Sequence, residues 1–422
     1  MYKLLISIIL IGSTLNLMSQ HQVLPIHKKA NCQSKILMQR NLRQQPFLVQ
    51  KRTNFLQKSK RWIADQATAT EQKLAKVIHN IPTVVHVVYA SATQNISDAQ
   101  IQSQIQVLNE DFSLSNPDFG SVVPAVFQSS AADIEFNFCL AQIDPDGNAS
   151  TGITRTMTTV SNIGNSNSSA IFYTTNGGKN SWDDSRYLNI YVCEIDDSGQ
   201  FLGYATLPGS ALTGEDGIVI DYKYFGTTGT VTPPLDKGRT ATHEIGHYFN
   251  LEHIWGNGCN SDDDVADTPE QENSYGGCPV HPRTSCGSDD MFMNYMDYVN
   301  DDCMAFFTEG QKTRMHAALN TARNGLLNNS AACGTASTLA NNDILNWQLY
   351  PNPSDRNTVS IHFESNQLEG ALVLLRNING IVYTSSTLQH HLQIDVSPLP
   401  SGIYTVEIIH KKSRMVKKLI LR

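Results

Sequence analysis

Residues 243–253 place three histidines and a glutamate at spacings that suit metal chemistry. His243 and His247 are four positions apart, so on a helix both imidazoles project from one face and can bind a single cation. Glu244 lies beside the first histidine, where its carboxylate can act as general base toward a metal-activated water. His253 follows six residues after His247 and adds a third nitrogen, provided that the chain turns after the helix.

The turn needs a residue that accepts a left-handed backbone. Asn250 stands at this point, and asparagine is the most tolerant residue after glycine. Three neutral nitrogens and one open position are the donor set of catalytic Zn²⁺, which lowers the pKa of a bound water to about 7. The alternatives are a histidine-rich exposed helix and a structural zinc site, which is normally closed by four protein ligands and needs no adjacent glutamate. The pattern therefore predicts one catalytic zinc ion.

Apolar patterns predict the elements that position this helix. A β-branched run at residues 83–89 is typical of a buried strand. The metal-binding helix is expected over residues 239–250, and an irregular segment separates it from a last helix over 308–319. Further strands are predicted at residues 134–140, 187–193, 202–207 and 218–222. Two of the helices are expected to begin with capping boxes, Ser97 with Gln100 and Thr308 with Gln311.

The N-terminal part of the chain differs in composition from the rest. Residues 1–20 hold one lysine, a short apolar stretch and small polar residues, which predicts a secretory signal peptide. Residues 21–61, with a boundary that extends to about 80, are expected to form a pro-segment or a mobile arm, with ordered structure beginning at Ile81. The pairs Lys51-Arg52 and Lys60-Arg61 are expected nicking sites within it.

Charge is distributed unevenly along the 422 residues. Residues 21–80 carry a net charge of +10, whereas residues 81–345 carry −22. Such an acidic domain repels nucleic acid and anionic membranes and attracts cations and basic polypeptides. These charges exclude nucleic-acid binding and favour basic protein or peptide substrates. No apolar run reaches the length of a membrane span, so an integral membrane protein is excluded as well.

The cysteines and the strand pattern of the C-terminal residues complete the domain prediction. Eight cysteines fit an exported chain, and four of them fall within residues 259–303, where disulfides are expected to brace an irregular segment. A linker at residues 334–345 separates the catalytic region, 62–333, from residues 346–422. Short alternating strands in that last part, with turns at Asn379-Gly380 and Ser401-Gly402, predict a small all-β sandwich.

The histidine motif, together with a downstream methionine, resembles the signature of the metzincin zinc peptidases. Within them, residues 82–325 are most similar to the ulilysin-like bacterial members of the pappalysin family. The similar segments are residues 138–142, 202–204, 267–269, 294–298, 307–311 and 314–315. The resemblance implies an α/β (α+β) catalytic domain with a twisted mixed sheet, an active-site helix and a cleft beneath the sheet. Metzincins usually have glycine where this chain has Asn250.

The resemblance also implies roles for three residues beyond the histidine motif. Met296 forms the apolar floor beneath the metal, and Tyr298 stabilises the oxyanion. Asp301 forms the base of the pocket beyond the scissile bond and selects Arg or Lys as the residue after the cut. The alternatives are an ordinary core methionine, a packed tyrosine and a surface acid beside Asp302.

The resemblance to this family also implies roles for several cysteines and acidic residues. The family's disulfides correspond to Cys259–Cys286 and Cys278–Cys303, and the pairing of Cys139, Cys193 and Cys333 stays open. A structural Ca²⁺ site is implied at Asp263, Asp264, Asp267 and Thr268, with a solvated acidic loop as the alternative. Cys32 is expected to ligate zinc in a latent form, as a pro-segment cysteine does in some members, unless it is a free or bridged thiol.

Residues 346–422 resemble the C-terminal sorting domain of type IX secretion, through residues 349–353, 395–406 and 417–422. The resemblance implies export by that machinery, with a carbohydrate-binding or adhesion sandwich as the alternative. The whole sequence thus predicts a secreted zinc endopeptidase made as a zymogen that its own pro-segment inhibits. Glu244 is expected to take a proton from the attacking water and give it to the leaving amine. The rival prediction is a surface adhesin with an inactive zinc site.

Overall fold

The computed structural model describes residues 31–68, 77–196, 201–260, 263–333 and 347–422, except for residues 356, 364–370, 378–381, 388–391 and 411–412. The predicted signal peptide, the linker at 334–345 and the turn at Asn379-Gly380 lie outside the described residues. Among the helices that are described, none combines the length and the apolar character needed to cross a membrane.

A mixed seven-stranded sheet forms the centre of the catalytic region, with strand order β1-β6-β7-β5-β2-β3 and with β4 also paired to β2. Its strands are β1 (Asn31–Cys32), β2 (His79–Tyr89), β3 (Phe136–Leu140), β4 (Ile153–Met157), β5 (Leu188–Cys193), β6 (Phe201–Ala205) and β7 (Ile218–Asp221). Strand β2 is parallel to β3, β4 and β5, whereas β6 runs antiparallel to β7. This arrangement confirms the predicted mixed sheet.

The sequence predicts most of these strands because they are apolar on both faces. All six residues of β5 and eight of the eleven in β2 are buried, as expected for strands covered on both sides. Strand β4 was not predicted, because its three central residues are polar and none of its five residues is fully buried. It is held by its pairing with the second half of β2.

The described residues form seven α-helices. They are α1 (Ser34–Gln44), α2 (Pro46–Thr68), α3 (Asp98–Phe112), α4 (Phe119–Val122), α5 (Ala125–Gln128), α6 (Arg239–Tyr248) and α7 (Glu309–Thr321). The capping box predicted for α7 is present, since Thr308 Oγ1 accepts from the Gln311 amide and the Gln311 side chain accepts from the Thr308 amide. At α3 the Ser97 hydroxyl accepts from the Gln100 amide, which is half of the predicted box.

The expectation that ordered structure begins at Ile81 is wrong, because α1 and α2 fold against the catalytic region. The buried residues of α2 are Leu48, Arg52, Phe55 and Ser59, one every three or four positions. This stripe is helical in spacing, but half of it is polar, so the apolar pattern alone did not reveal it. Helix α2 continues past residue 61, so that boundary falls within an element, and Arg52 is buried where an accessible nicking site was expected.

The C-terminal residues form two antiparallel sheets that share one apolar core, which confirms the predicted all-β domain. One sheet contains β10 (Trp347–Tyr350), β11 (Thr358–Phe363) and β14 (Leu392–Asp395). The other contains β12 (Leu372–Asn377), β13 (Val382–Thr387), β15 (Gly402–His410) and β16 (Ser413–Leu421). Alternate residues such as Val406 and Ile408 point into the core, which is the period-two pattern of a strand with one buried face.

Three disulfides brace the catalytic region. Cys259–Cys286 and Cys278–Cys303 are the two pairs that the resemblance implies, and a two-stranded hairpin of β8 (Thr284–Ser285) and β9 (Ser288–Asp289) lies within the same irregular segment. The third disulfide, Cys139–Cys333, joins β3 to the segment after α7 and resolves the pairing that the sequence left open. Cys193 is a buried free thiol, and Cys32 is the other free cysteine.

Candidate active site

Helix α6 carries the first two histidines and ends where the sequence requires a turn. Asn250 has the left-handed backbone that was predicted for it, with φ = 75°. The amide of Leu251 donates to the carbonyl of Gly246, which closes the helix end as a C-terminal cap. The chain then reverses and brings His253 back to the face that holds His243 and His247.

The three imidazoles converge on one point. Nε2 of His247 lies 3.2 Å from Nε2 of His243 and 3.1 Å from Nε2 of His253. The Nδ1 atom of His243 contacts the Tyr295 carbonyl at 2.7 Å, and that of His247 contacts the Leu251 carbonyl at 2.7 Å. A carbonyl can only accept, so in both rings Nδ1 carries the proton and the Nε2 lone pair is free for a metal.

Burial keeps these rings neutral. It lowers the pKa of His243 to about 3, that of His247 to about 4, and that of His253 further below its ordinary value. Neutral rings with facing lone pairs repel one another unless a cation lies between them. The donor set therefore fits Zn²⁺, which prefers imidazole nitrogen and tolerates an open position.

Cys32 of strand β1 completes the group. Its Sγ and the three histidine nitrogens all lie within 4.8 Å of one another. Burial, followed by the nearby Glu244 carboxylate, raises the pKa of the Cys32 thiol, so thiolate formation at this point requires a cation. The structure thus brings together the residue that was expected to act in the latent form and the three expected ligands.

Glu244 is buried beside this group, and burial raises its pKa to about 7. Its Oε2 accepts from the Ser34 hydroxyl at 2.9 Å and from the Cys32 thiol at 3.4 Å. The Ser34 oxygen in turn accepts from the Ala205 amide of β6 at 2.7 Å. Ser34 was missed at the level of sequence, because only the fold brings it to a glutamate 210 positions away.

Met296 and Gly246 are packed together beneath α6. Met296 is fully buried, and a Cβ at position 246 would lie only 2.5 Å from its sulfur. The glycine between the two helical histidines therefore leaves space for the methionine. Met296 thus packs directly against the helix that carries His243 and His247.

Tyr298 and Trp255 enclose the third histidine. The Trp255 ring stacks on His253 with centroids 4.2 Å apart and planes 7° apart, and the Tyr298 ring meets His253 edge-on at 4.9 Å. The Tyr298 hydroxyl accepts from the Cys32 amide at 3.1 Å. Trp255 was not among the predicted site residues, although an aromatic residue two positions after the third histidine was visible in the sequence.

Asp301 lies in the wall of a small open cavity of about 40 Å³ that Glu244 and Tyr298 also line. Its side chain is buried, and burial raises its pKa to about 6. Oδ2 accepts from the backbone amides of Lys237 at 2.8 Å and Arg239 at 3.3 Å. The position is thus a cavity wall and not the surface site that was the alternative.

The four residues expected to bind calcium do not form one cluster of free oxygens. Asp263 is buried, and its Oδ2 has no hydrogen-bond partner in the part of the chain that the structure describes. Thr268 donates to the other oxygen of Asp263, and Asp264 pairs with Arg314 at 3.3 Å. Both oxygens of Asp267 accept hydrogen bonds at the start of α7, from the Thr308 hydroxyl and the Gly310 amide.

Comparisons with known proteins agree with this site. Residues 173–320 match the family described as pregnancy-associated plasma protein-A, and residues 348–422 match the secretion system C-terminal sorting domain. The chain is 41% identical to extracellular metalloprotease 1 of Coccidioides posadasii over 144 residues, 33% of this chain and 51% of that relative. It is 32% identical to an extracellular metalloprotease of Pyricularia oryzae over 259 residues, 58% of this chain and 76% of that relative. The chain thus spans about half the length of some curated relatives and three quarters of others.

Two solved structures of one peptidase are also similar. Mature mirolysin of Tannerella forsythia in complex with a cleaved peptide has a TM-score of 0.58 and 43% identity, and the match covers 62% of this chain and 100% of that chain. A promirolysin mutant of the same organism has a TM-score of 0.62 and 40% identity, and the match covers 71% of this chain and 98% of that chain.

Proposed function

The chain belongs to the pregnancy-associated plasma protein-A (pappalysin) family of metalloproteases, and from this we propose that it is a secreted zinc endopeptidase made as a zymogen. The observation that carries the proposal is the convergence of three Nε2 atoms beside the buried carboxylate of Glu244. The C-terminal sorting domain indicates an exported protein, and the type IX secretion machinery is its proposed export partner.

Each residue of the site has a definite task in peptide hydrolysis. His243, His247 and His253 would hold the zinc ion, which would supply Lewis-acid chemistry for the peptide carbonyl and the attacking water. The Glu244 carboxylate accepts a proton from the attacking water and donates it to the leaving nitrogen. The Tyr298 hydroxyl donates to the substrate carbonyl oxygen as negative charge develops on it.

The proposed latency depends on contacts of residues 32–34 with the histidines, Glu244 and Tyr298. The Cys32 thiol lies at the open side of the histidines, and the Ser34 hydroxyl bonds to Glu244. Strand β1 pairs with β6 along the sheet edge next to the site, so the pro-segment fills the cleft. The larger coverage of this chain by promirolysin, 71% against 62% for the mature form, supports assigning α1 and α2 to a pro-segment.

A second contact anchors the pro-segment away from the zinc site. Arg52 of α2 is buried and donates to the Asn250 side-chain oxygen at 2.7 Å and to the Pro208 carbonyl at 2.8 Å. Asn250 thus has a use for its side chain that a glycine would lack. Because Arg52 is held in this way, the first maturation cut is proposed to lie outside the Lys51-Arg52 pair, at Lys60-Arg61 or beyond.

Asp301 is the proposed basis of a preference for Arg or Lys immediately after the cut bond. Its carboxylate lines the cavity next to Glu244, and two backbone amides stabilise its charged form. The net charge of −22 over residues 81–345 favours basic protein and peptide substrates over the whole domain.

Calcium binding is proposed at the groove lined by Asp263, Asp264 and Glu270, where the Asp263 Oδ2 atom faces no other hydrogen-bond partner among the described residues. Asp267 and Thr268 are also proposed as ligands. Asp267 already accepts a hydrogen bond from Thr308, and Thr268 donates one to Asp263, but the oxygen of each side chain keeps a further lone pair for the ion.

Chelation by EGTA is expected to lower the melting temperature while zinc is retained. An Asp263→Asn variant is expected to lose that response.

The test of the proposed function uses the matured chain and quenched-fluorescent peptides. A Glu244→Gln variant is expected to keep one zinc ion per chain and to lose peptide cleavage by at least about a thousandfold. Glu272→Ala, which alters an exposed acid, serves as control. Undiminished cleavage by Glu244→Gln would overturn the mechanism, and no cleavage by the mature wild type would favour the adhesin.

A further inference from the structure

Arg239 places a buried positive charge in the wall of the cavity that holds Asp301. It is 4% exposed, and its Nη1 donates to the Asp301 carbonyl at 2.8 Å. Its backbone amide donates to the Asp301 carboxylate. Burial raises the pKa of the Asp301 carboxyl, and the positive charge of Arg239 opposes that rise, so the two groups interact through their charges. Without a partner of its own, this guanidinium would offset part of the negative charge that a basic substrate side chain meets at Asp301.

A second carboxylate pairs with this guanidinium from the opposite side. Both oxygens of Asp118 accept from Arg239, at 2.7 Å from Nη1 and 2.8 Å from Nη2, which is the bidentate geometry of a strong ion pair. Although burial raises it, the hydrogen bonds from Arg239 hold the pKa of Asp118 below its ordinary value. Asp118 is thus the ionised partner of Arg239.

Asp111 is a further carboxylate in the same network. Its Oδ1 lies 3.5 Å from Arg239 Nη2, and its carboxylate also accepts from the hydroxyls of Tyr295 and Thr242 at 2.7 Å each. Burial raises the pKa of Asp111 to about 6. The guanidinium thus contacts two carboxylates, those of Asp118 and Asp111, and together with Asp301 the acids outnumber the one arginine, so the wall keeps a net negative charge at neutral pH.

We infer that Asp118 is a positioning residue for substrate specificity: its ion pair occupies Arg239 and leaves the Asp301 carboxylate available to a substrate Arg or Lys. The inference rests on the proposed preference for a basic residue after the cut bond. Asp118 lies 121 positions before Arg239, next to the short helix α4, and does not line the cavity itself. It acts through Arg239, so its removal should change selectivity and leave the chemical step in place.

The experiment compares two peptides that differ only in the residue after the cut bond, arginine in one and alanine in the other. In Asp118→Asn, kcat/KM for the arginine peptide is expected to fall roughly tenfold, mainly through KM, because one unit charge near Asp301 is no longer compensated. The alanine peptide is expected to stay within about twofold. Asp118→Glu should restore most of the arginine preference.

A matched control separates this effect from a general loss of stability. Asp216 forms the same bidentate pair with Arg323, at 2.8 Å and 3.0 Å, outside the cavity lining. Asp216→Asn should therefore leave the ratio of the two kcat/KM values unchanged. The double variant Asp118→Asn/Arg239→Gln removes both charges and should return the ratio of the two kcat/KM values to that of the wild type. The same double variant provides the test if Asp118→Asn alone does not fold.

The outcomes distinguish the two proposals. If the wild type shows no arginine preference and Asp301→Asn changes nothing, the proposed specificity fails. If the wild type and Asp301→Asn behave as proposed but Asp118→Asn keeps the wild-type ratio, only the role of Asp118 is overturned. Equal losses on both peptides in Asp118→Asn, or a double variant whose ratio stays low, would likewise overturn it.

Discussion

Arg52 offers the sharpest test of how the pro-segment is held. Substitution by alanine removes two hydrogen bonds, to Asn250 and to Pro208, and leaves the Asn250 side-chain oxygen in a buried place without its donor. Hydrogen bonds from a charged donor contribute about 1.5–3 kcal/mol each. Burial lowers the pKa of Arg52 to about 10, so part of that gain is offset by desolvation of the guanidinium.

A net loss of about 2 kcal/mol follows, which corresponds to a roughly 30-fold larger population of chains with the pro-segment detached. The assay is the alkylation rate of Cys32 in the unprocessed chain, measured by peptide mass spectrometry so that Cys193 is counted separately. A Glu244→Gln background prevents self-cleavage during the measurement. The Arg52→Ala variant is expected to be alkylated at Cys32 roughly 30 times faster.

Lys58 provides the matched control, because it lies on the same helix, is exposed and carries the same charge. Lys58→Ala should leave the alkylation rate within about twofold, since a single exposed charge contributes little. Equal acceleration by both variants would mean that overall charge, and not the buried contact, holds the pro-segment. No acceleration by Arg52→Ala would refute the anchoring role of this residue.

Three further predictions concern the latent contact, the third histidine and pH. Ser34→Ala removes the hydroxyl that bridges Glu244 and the Ala205 amide, and it should speed self-activation several-fold. Ser121→Ala changes an exposed serine and should not alter the rate of self-activation. Equal lag times for the two variants in an activation time course would contradict this prediction. Trp255→Ala removes the ring that stacks on His253 and should weaken zinc affinity about 10- to 100-fold in a chelator competition on the mature chain, whereas unchanged affinity would show that stacking does not position the ligand. Burial raises the pKa of Asp221 to about 6 from 3.8, so the folded state binds the extra proton and stability falls as pH rises from about 4 to 6. Asp221→Asn should remove about 3 kcal/mol of that fall in denaturant titrations, and an identical pH dependence in the variant would contradict it.

The sequence was most informative where chemistry and local structure share one short segment. The histidine spacing on α6, the left-handed turn at Asn250 and the capping box at Thr308 each depend on residues within about ten positions of one another. Their physical requirements can therefore be checked without knowledge of the fold. The disulfides Cys259–Cys286 and Cys278–Cys303 came from the family resemblance, since spacing alone leaves the pairing of eight cysteines open.

The residues that were missed depend on partners far away in the chain. Ser34 is defined by Glu244, and Asp118 by Arg239, so neither residue type nor spacing distinguishes them from other serines and aspartates. Helix α2 was missed for another reason, because its buried face contains Arg52 and Ser59 beside Leu48 and Phe55. From its residue type alone, Arg52 is expected at the surface. Its buried partners, the Pro208 carbonyl and the Asn250 side-chain oxygen, can be identified only from the fold.

The central claim is that one zinc ion is bound by His243, His247 and His253, with Cys32 as the fourth ligand before maturation. Zinc-edge X-ray absorption on the unprocessed and the matured chain tests it most directly. We expect one zinc per chain, three nitrogen scatterers and one sulfur at about 2.3 Å in the unprocessed form, and loss of the sulfur after maturation. A chain without zinc, or the same absorption spectrum in both forms, would contradict it.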